Sequence, residues 1–327
     1  MVDALTPPTF GDVLAARRSI APHLRPTPLF SYPALDAVVG TRTFVKHENH
    51  QPVGAFKVRG GVNLMANLSE DERRRGVVTA STGNHGQSIA FAARRFGVRA
   101  IVCVPTDANP VKVESMRGLG AEIVAVGRDF DDAREHCEAL AGEHGYRYVH
   151  SGNEPLLIAG VATESLEILE EQPDVDTLIV PIGGGSGAAG ACIVKAATGN
   201  RVRVIGVQSD AAPAAHRSWA EGRLVEEANT TFAEGLATRT AFELPQGIMR
   251  EGLDEFLLVS DEEIRRATAI MIEKTRNLVE PAGAAALAAA LRLREQLQGR
   301  MIAVICSGGN ISPAQLRTLL GDGAQAP

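Results

Sequence analysis

Four short stretches of the chain hold residue types that could do chemistry. The first is KHENHQPVGAFKVRGG, residues 46–61. Its polar strand end, a turn at Pro52 and Gly54, and then Phe56 and Lys57 place a lysine at the opening of a helix. There it meets the positive end of the helix dipole, which lowers its proton affinity. An amine of that kind is what an aldehyde cofactor needs to form a Schiff base. Taken alone, a solvated lysine at a helix start is the commoner reading. The second stretch is ASTGNHGQS, residues 80–88. Small hydroxylated residues follow a strand, and Gly-Asn-His-Gly opens a helix. Its backbone N–H groups and the hydroxyls of Ser81 and Thr82 suit a carboxylate, although an ordinary helix cap is an even alternative. The third is IVPIGGGSGAAG, residues 179–190. A buried strand runs into four glycines within five residues and then a helix, a pattern of bare amides that makes a phosphate cup. The fourth is VICSGGNIS, residues 304–312. Its glycines let the backbone pass close to a ligand while Ser307 offers a neutral hydroxyl, although alone it reads as a turn.

Elements must position these stretches. Apolar runs of strand length are expected at 43–48, 77–80, 100–105, 122–126, 177–181, 202–207 and 302–306. Amphipathic segments fall between them at 88–96, 130–141, 155–170 and 261–274. The alternation predicts an α/β fold with mostly parallel sheets. In such folds ligands sit where loops leave the carboxyl ends of strands, and the informative glycines do follow strands. The tail after Gly321 reads as frayed.

Composition narrows the class. The 327 residues, 45% hydrophobic, suffice for one large or two ordinary domains with cores. The formal net charge of -6 and the lack of a Lys/Arg run longer than Arg73–Arg75 argue against a nucleic-acid partner. No run reaches the roughly 18 apolar residues of a membrane span. The first residues show no targeting pattern. The four cysteines, Cys103, Cys137, Cys192 and Cys306, are far apart and without CxxC, which predicts buried free thiols and a reducing, cytoplasmic setting.

Two patterns compete. Gly185-Ser-Gly-Ala-Ala-Gly190 fits G-x-G-x-x-G, with Asp210 after the next expected strand, as in a nicotinamide-binding enzyme. That reading has no catalytic His/Arg set and leaves the other three stretches unexplained. His47-Glu-Asn-His50 is not H-E-x-x-H, which leaves zinc hydrolysis little support. Neither a P-loop nor a G-x-S-x-G elbow is present.

Together, in this order and spacing, the four stretches resemble the fold-type II pyridoxal-phosphate (PLP) enzymes, in particular the threonine/serine dehydratase and serine racemase group. The likeness runs from about Arg25-Pro-Thr-Pro-Leu29 to Asn310. It includes His150 with Glu154-Pro155, Ala159-Gly160, Phe232-Ala-Glu-Gly235 and Val279-Glu-Pro281. It implies two open, twisted, mostly parallel sheets flanked by helices, as in the tryptophan synthase β-like fold. A smaller domain at 76–148 would be inserted in a larger one made of 1–75 and 149–327, with the cofactor in the cleft between them. By the same resemblance Lys57 carries the cofactor, Phe56 packs on its ring and Asn84 binds the ring hydroxyl. Gly183, Gly184, Gly185, Ser186 and Gly187 hold the phosphate. Ser307, with Gly308 beside it, meets the pyridine nitrogen, and Gly235 and Glu280 line the surroundings. Ser81, Thr82, Asn84, His85 and Asn153 are expected around the substrate, and its side-chain pocket near 151–153 and 238–244.

The implied reaction is β-elimination and deamination of a 3-hydroxy amino acid (L-threonine, L-serine or a bulkier analogue) to a 2-oxo acid and ammonia. A neutral Ser307 leaves the pyridine nitrogen unprotonated and weakens the ring as an electron sink, which favours prompt loss of a β-hydroxyl. A racemase or a threonine-synthase-like enzyme is the alternative on the same scaffold. The chain departs from the group in four ways. Ala55 stands where the group often has serine. Thr82 stands where racemases have a catalytic serine, so a hydroxyl survives on a stiffer side chain. The group's cation site maps to Asp210, the Ala214 carbonyl and His216, and a histidine there suits Mg²⁺ poorly. With the sequence ending soon after SGGN, no C-terminal regulatory domain is expected. A cytoplasmic homodimer is expected, with neither nucleic acid nor membrane as partner.

Overall fold

The structure is a computed structural model that describes residues 5–128 and 130–321; the tail expected to fray lies outside them. Short apolar runs form ten strands among these residues. They are β1 Leu29–Ser31, β2 Arg42–His47, β3 Val77–Ala80, β4 Ala100–Val104, β5 Glu122–Ala125, β6 Arg147–Tyr148, β7 Thr177–Pro181, β8 Arg203–Ser209, β9 Glu255–Val259 and β10 Met301–Cys306. They make a six-stranded sheet of order β1-β2-β10-β7-β8-β9 and a four-stranded sheet of order β5-β4-β3-β6. Every pairing is parallel except β1 on β2. The fold is therefore α/β, with two mostly parallel sheets flanked by helices. β1, β6 and β9 were not among the expected strands. The first two are three and two residues long, too short to show a period, and an apolar run of four such as that in β9 reads equally as part of a helix.

The chain divides into two compact units. One joins the described part of Met1–Arg25 to Lys57–Val161, and the other joins Pro26–Phe56 to the described part of Ala162–Pro327. The four-stranded sheet lies wholly within 76–148, the segment expected as an insertion, but its unit also takes in helix Val58–Ala66 and the start of helix Pro155–Glu171. The reason is backbone packing. A Cβ on Gly160 would lie 2.7 Å from the Arg59 carbonyl oxygen and the Gly60 Cα, and one on Gly60 2.9 Å from the Leu157 carbonyl oxygen. Only glycine lets two helices approach this closely.

The four-stranded sheet is apolar on both faces, as a covered parallel sheet must be. Ile101 and Cys103 pack with Val78, Ala80 and Cys137 on one face, while Val102 and Val104 pack with Ala90, Val113 and Met116 on the other. In the second unit the alanine-rich helix Pro281–Arg292 is buried along nearly its whole length against strand residues such as Ile179, Ile205 and Val304. Alanine keeps that helix thin, so helix and sheet lie close.

Candidate active site

In the second unit, β2, β10 and β7 are adjacent and parallel, in register at Val45, Val304 and Ile179. Their following loops therefore leave the same edge of the sheet. The loop after β2 lies along the loop after β10. The Phe56 N–H donates to the Ser307 carbonyl at 3.0 Å, the Gly309 N–H to the Gly54 carbonyl at 2.9 Å, and the Asn310 amide to the Val53 carbonyl at 2.8 Å. Gly54 takes φ +66°, a left-handed turn that aims the chain into this pairing. Ser307 is buried at 6% exposure. Behind it, the Glu280 N–H donates to the Gly308 carbonyl at 3.1 Å.

The loop after β7 is bare backbone in a crowded setting. A Cβ on Gly183 would strike the Gly235 carbonyl oxygen, one on Gly184 would stand 2.6 Å from the Phe242 ring, and one on Gly187 3.4 Å from the Phe56 ring. Gly185 is the N-cap of helix Ser186–Ala197, so no side chain caps it, and its first turn holds no acid. Amides at such a start are offered to an external anion. This unit thus gathers Phe56, Gly183–Gly187, Gly235, Glu280, Ser307 and Gly308 around one cradle. The hydroxyl oxygen of Thr238 is buried and has no hydrogen-bond partner among the described residues.

In the first unit, Lys57 is the N-cap of helix Val58–Ala66, and its carbonyl accepts the Ser88 hydroxyl at 2.7 Å. The helix Asn84–Phe96 starts directly after the β3 loop, with Asn84 as its first residue, Thr82 exposed and His85 buried. Ser81 organises that loop. Its Oγ accepts the Gly86 N–H at 2.9 Å and the Gly83 N–H at 3.2 Å. Two amides expected to receive a carboxylate are thus occupied, and the Ser81 hydroxyl, with both lone pairs used, is left to donate. Burial pushes the His85 pKa down to about 3, helped by the positive charge of Lys57, so His85 is neutral. The Nδ1 of His150 accepts the N–H groups of Gly152 and Asn153 at 3.0 and 2.9 Å and so shapes the loop that carries Asn153.

Several features escaped the sequence reading. Thr79, inside β3, is fully buried, and its hydroxyl touches both His85 and the Val149 carbonyl. Glu164 is buried, with a carboxylate oxygen 3.3 Å from where a Gly187 Cβ would stand. An acid within LLIAGVATESL was the only signal. Of the expected cation ligands, Asp210 directly follows β8, and Ala214 and His216 lie in helix Ala214–Glu221. The His216 ring packs edge-on to Phe256 with centroids 5.2 Å apart, its backbone N–H donates to Gln208 Oε1, and burial lowers its pKa. No group of three or more His, Cys, Asp or Glu side chains suited to a metal ion occurs among the described residues. Among them, too, no helix is long and apolar enough to cross a membrane.

The chain is similar to several known proteins. The chain is 36% identical over 316 residues to an L-threonine ammonia-lyase of Thermotoga maritima, covering 96% of this chain and 79% of that protein. It is 35% identical over 322 residues to an L-threo-3-hydroxyaspartate ammonia-lyase of Saccharomyces cerevisiae, covering 98% of each. The solved structure of maize serine racemase superposes with a TM-score of 0.91 at 31% identity, covering 96% of this chain and 97% of that one. The family model described as pyridoxal-phosphate dependent enzyme matches residues 20–308, which span the lysine, the β3 loop, the glycine cradle and Ser307, and the chain belongs to that family.

Proposed function

We propose that this chain is a PLP-dependent ammonia-lyase that converts a 3-hydroxy amino acid to a 2-oxo acid and ammonia. The residues present fit the cofactor. The cradle at Gly183–Gly187 is closed to any Cβ at its first two positions, and its helix start is uncapped, as a phosphate group requires. Phe56 borders Gly187, and the neutral Ser307 stands at the end of β10. Bound there, the cofactor supplies an electron-withdrawing ring that acidifies the Cα–H of an amino acid.

The chain's own groups do the rest. Lys57 Nζ would hold the cofactor and, as a free amine, would take the Cα proton. Asn84 would offer its amide to the cofactor's ring hydroxyl. The Ser81 hydroxyl donates to the substrate carboxylate. Loss of the β-hydroxyl as water and hydrolysis of the released enamine give the 2-oxo acid and ammonia, so water balances overall. What favours elimination over transamination is Ser307: it is a buried hydroxyl, not a carboxylate, at the position that would meet the cofactor's ring nitrogen, and it would not hold a proton there.

The test is a panel of L-threonine, L-serine and L-threo-3-hydroxyaspartate with purified holoenzyme, read as 2-oxo acid released. Turnover of at least one is expected, and silence on all three sinks the reading. Thr82 and the likeness to a serine racemase favour racemisation as a second reading; chiral analysis of recovered serine separates the two. The reading extends to a cytosolic homodimer, which sizing chromatography with light scattering would test.

A further inference from the structure

We propose that Thr79 is a positioning residue that fixes the imidazole of His85 in one tautomer, the hydrogen on Nε2 and a lone pair on Nδ1. The inference rests on the lyase reading for its consequence and on hydrogen-bond bookkeeping for its substance. Thr79 Oγ1 lies 2.7 Å from the Val149 carbonyl oxygen and 2.9 Å from His85 Nε2. A carbonyl brings no hydrogen, so the single hydroxyl hydrogen of Thr79 lies on the path to Val149. The contact with His85 must then be made by a hydrogen of the ring, which is on Nε2. The site is closed to water that could relay another arrangement: Thr79 is 0% and His85 7% exposed. Val149 is itself held, its N–H donating to the Val78 carbonyl at 2.9 Å. The acceptor of the chain Val149–Thr79–His85 is therefore part of the sheet edge and does not move independently.

The consequence concerns substrate recognition. A neutral imidazole with its only hydrogen spent inward has at Nδ1 an acceptor and nothing to donate. His85 then cannot serve the substrate carboxylate, which also only accepts. Any group bonded to Nδ1 must bring its own hydrogen, as an amine, amide or hydroxyl does. The carboxylate falls to Ser81, whose oxygen already accepts from Gly83 and Gly86 and whose hydrogen remains to be given. Ser81 in the β3 loop and His85 in the first turn of the helix that follows thus have opposite polarity toward a ligand, the first set by the loop's own amides and the second by the buried threonine.

The test uses holoenzyme labelled with 15N-histidine, with the His85 resonances assigned by their loss in His85→Asn. Wild type should show a pyrrole-like Nε2 and a pyridine-like Nδ1 that does not change through the pH range where a free imidazole titrates. A hydrogen on Nδ1 would overturn the proposal outright, with no need for a variant or for turnover. Thr79→Val keeps the shape and removes the hydroxyl; it should mix the tautomers and lower kcat/KM at least about tenfold, the scale of one unsatisfied buried partner. Thr79→Ser should restore both readouts. If Thr79→Val folds with an unchanged tautomer, or Thr79→Ser fails like valine, Thr79 acts by packing and the proposal is wrong. The spectra stand apart from activity, so an inactive protein would count against the lyase reading and not against the tautomer.

Discussion

At the scale of single residues, Lys57 began as one lysine at a helix start, and its weight comes from what surrounds it in the chain. It caps helix Val58–Ala66, the neighbouring Phe56 is tied to the Ser307 carbonyl, and the peptide between them is one of the three places where the chain passes from one compact unit to the other. Lys57→Ala should abolish 2-oxo acid production and the visible absorption band of the bound cofactor while leaving far-UV circular dichroism intact; a retained band would show that another amine holds the cofactor. Ser81 makes a different prediction. Ser81→Ala removes the acceptor for two loop amides and the donor assigned to the carboxylate, a loss of about 1–3 kcal/mol. The expected result is a rise in KM of roughly tenfold or more, and an unchanged KM would show that the loop amides alone recognise the carboxylate.

Elements decide how these residues meet. Helices 58–66 and 155–171 touch through Gly60 and Gly160, backbone to backbone. Gly160→Ala would push a methyl group into the Arg59 carbonyl, which cannot rotate away. The cost should be at least about 1–3 kcal/mol, seen as a lower thermal midpoint by several degrees. Gly86→Ala makes a useful contrast, because its nearest obstacle is the Met116 sulfur, the end of a flexible side chain that can shift. The pair should differ clearly in thermal scans. Much of this level was legible in the sequence. The seven expected strands all form, within two residues at each end, because their apolar runs are bounded by glycine and polar residues. The loops that carry chemistry were legible for the same reason: each is a glycine cluster after a buried run. What could not be read was pairing across the chain. Nothing in VVTA marks Thr79 as the partner of His85 and Val149, and nothing in STGNHG says that Ser81 consumes two of the loop's own amides. Those facts depend on which atoms the fold places together.

For the whole molecule, buried histidines set the response to acid. Burial lowers the pKa of His47 to about 4 and of His85 to about 3, and also lowers those of His150 and His216. The unfolded chain takes up protons on these rings near the ordinary histidine value of 6.5, while the folded chain refuses them. Stability is therefore full above that value and declines as pH falls toward 4, each such ring steepening the slope by at most about 1.4 kcal/mol per pH unit. Urea unfolding at a series of pH values between 7.5 and 5 should show this slope, and His47→Asn should make it shallower. An equal slope in the variant would remove His47 from the account. Carboxylates whose pKa values are lowered by partners, such as Glu72 and Glu122, lose their stabilising share only as pH falls below about their ordinary value of 4.5, so the range from 7.5 to 5 reads the histidines.

The four cysteines, none of which has a part in the chemistry, are all buried free thiols. Burial pushes the Cys192 pKa up to about 12 and raises that of Cys306, so neither is a thiolate at neutral pH. A coloured aromatic disulfide reagent should therefore meet almost no reactive sulfur in the native protein and four in urea. The rate at which labelling appears under native conditions becomes a clock for local opening, read separately at each sulfur by peptide mapping. Cys306 directly precedes Ser307, so its labelling rate would time how often the cradle end of β10 breathes, and a cofactor analogue that slows that one rate would report its own docking without any turnover.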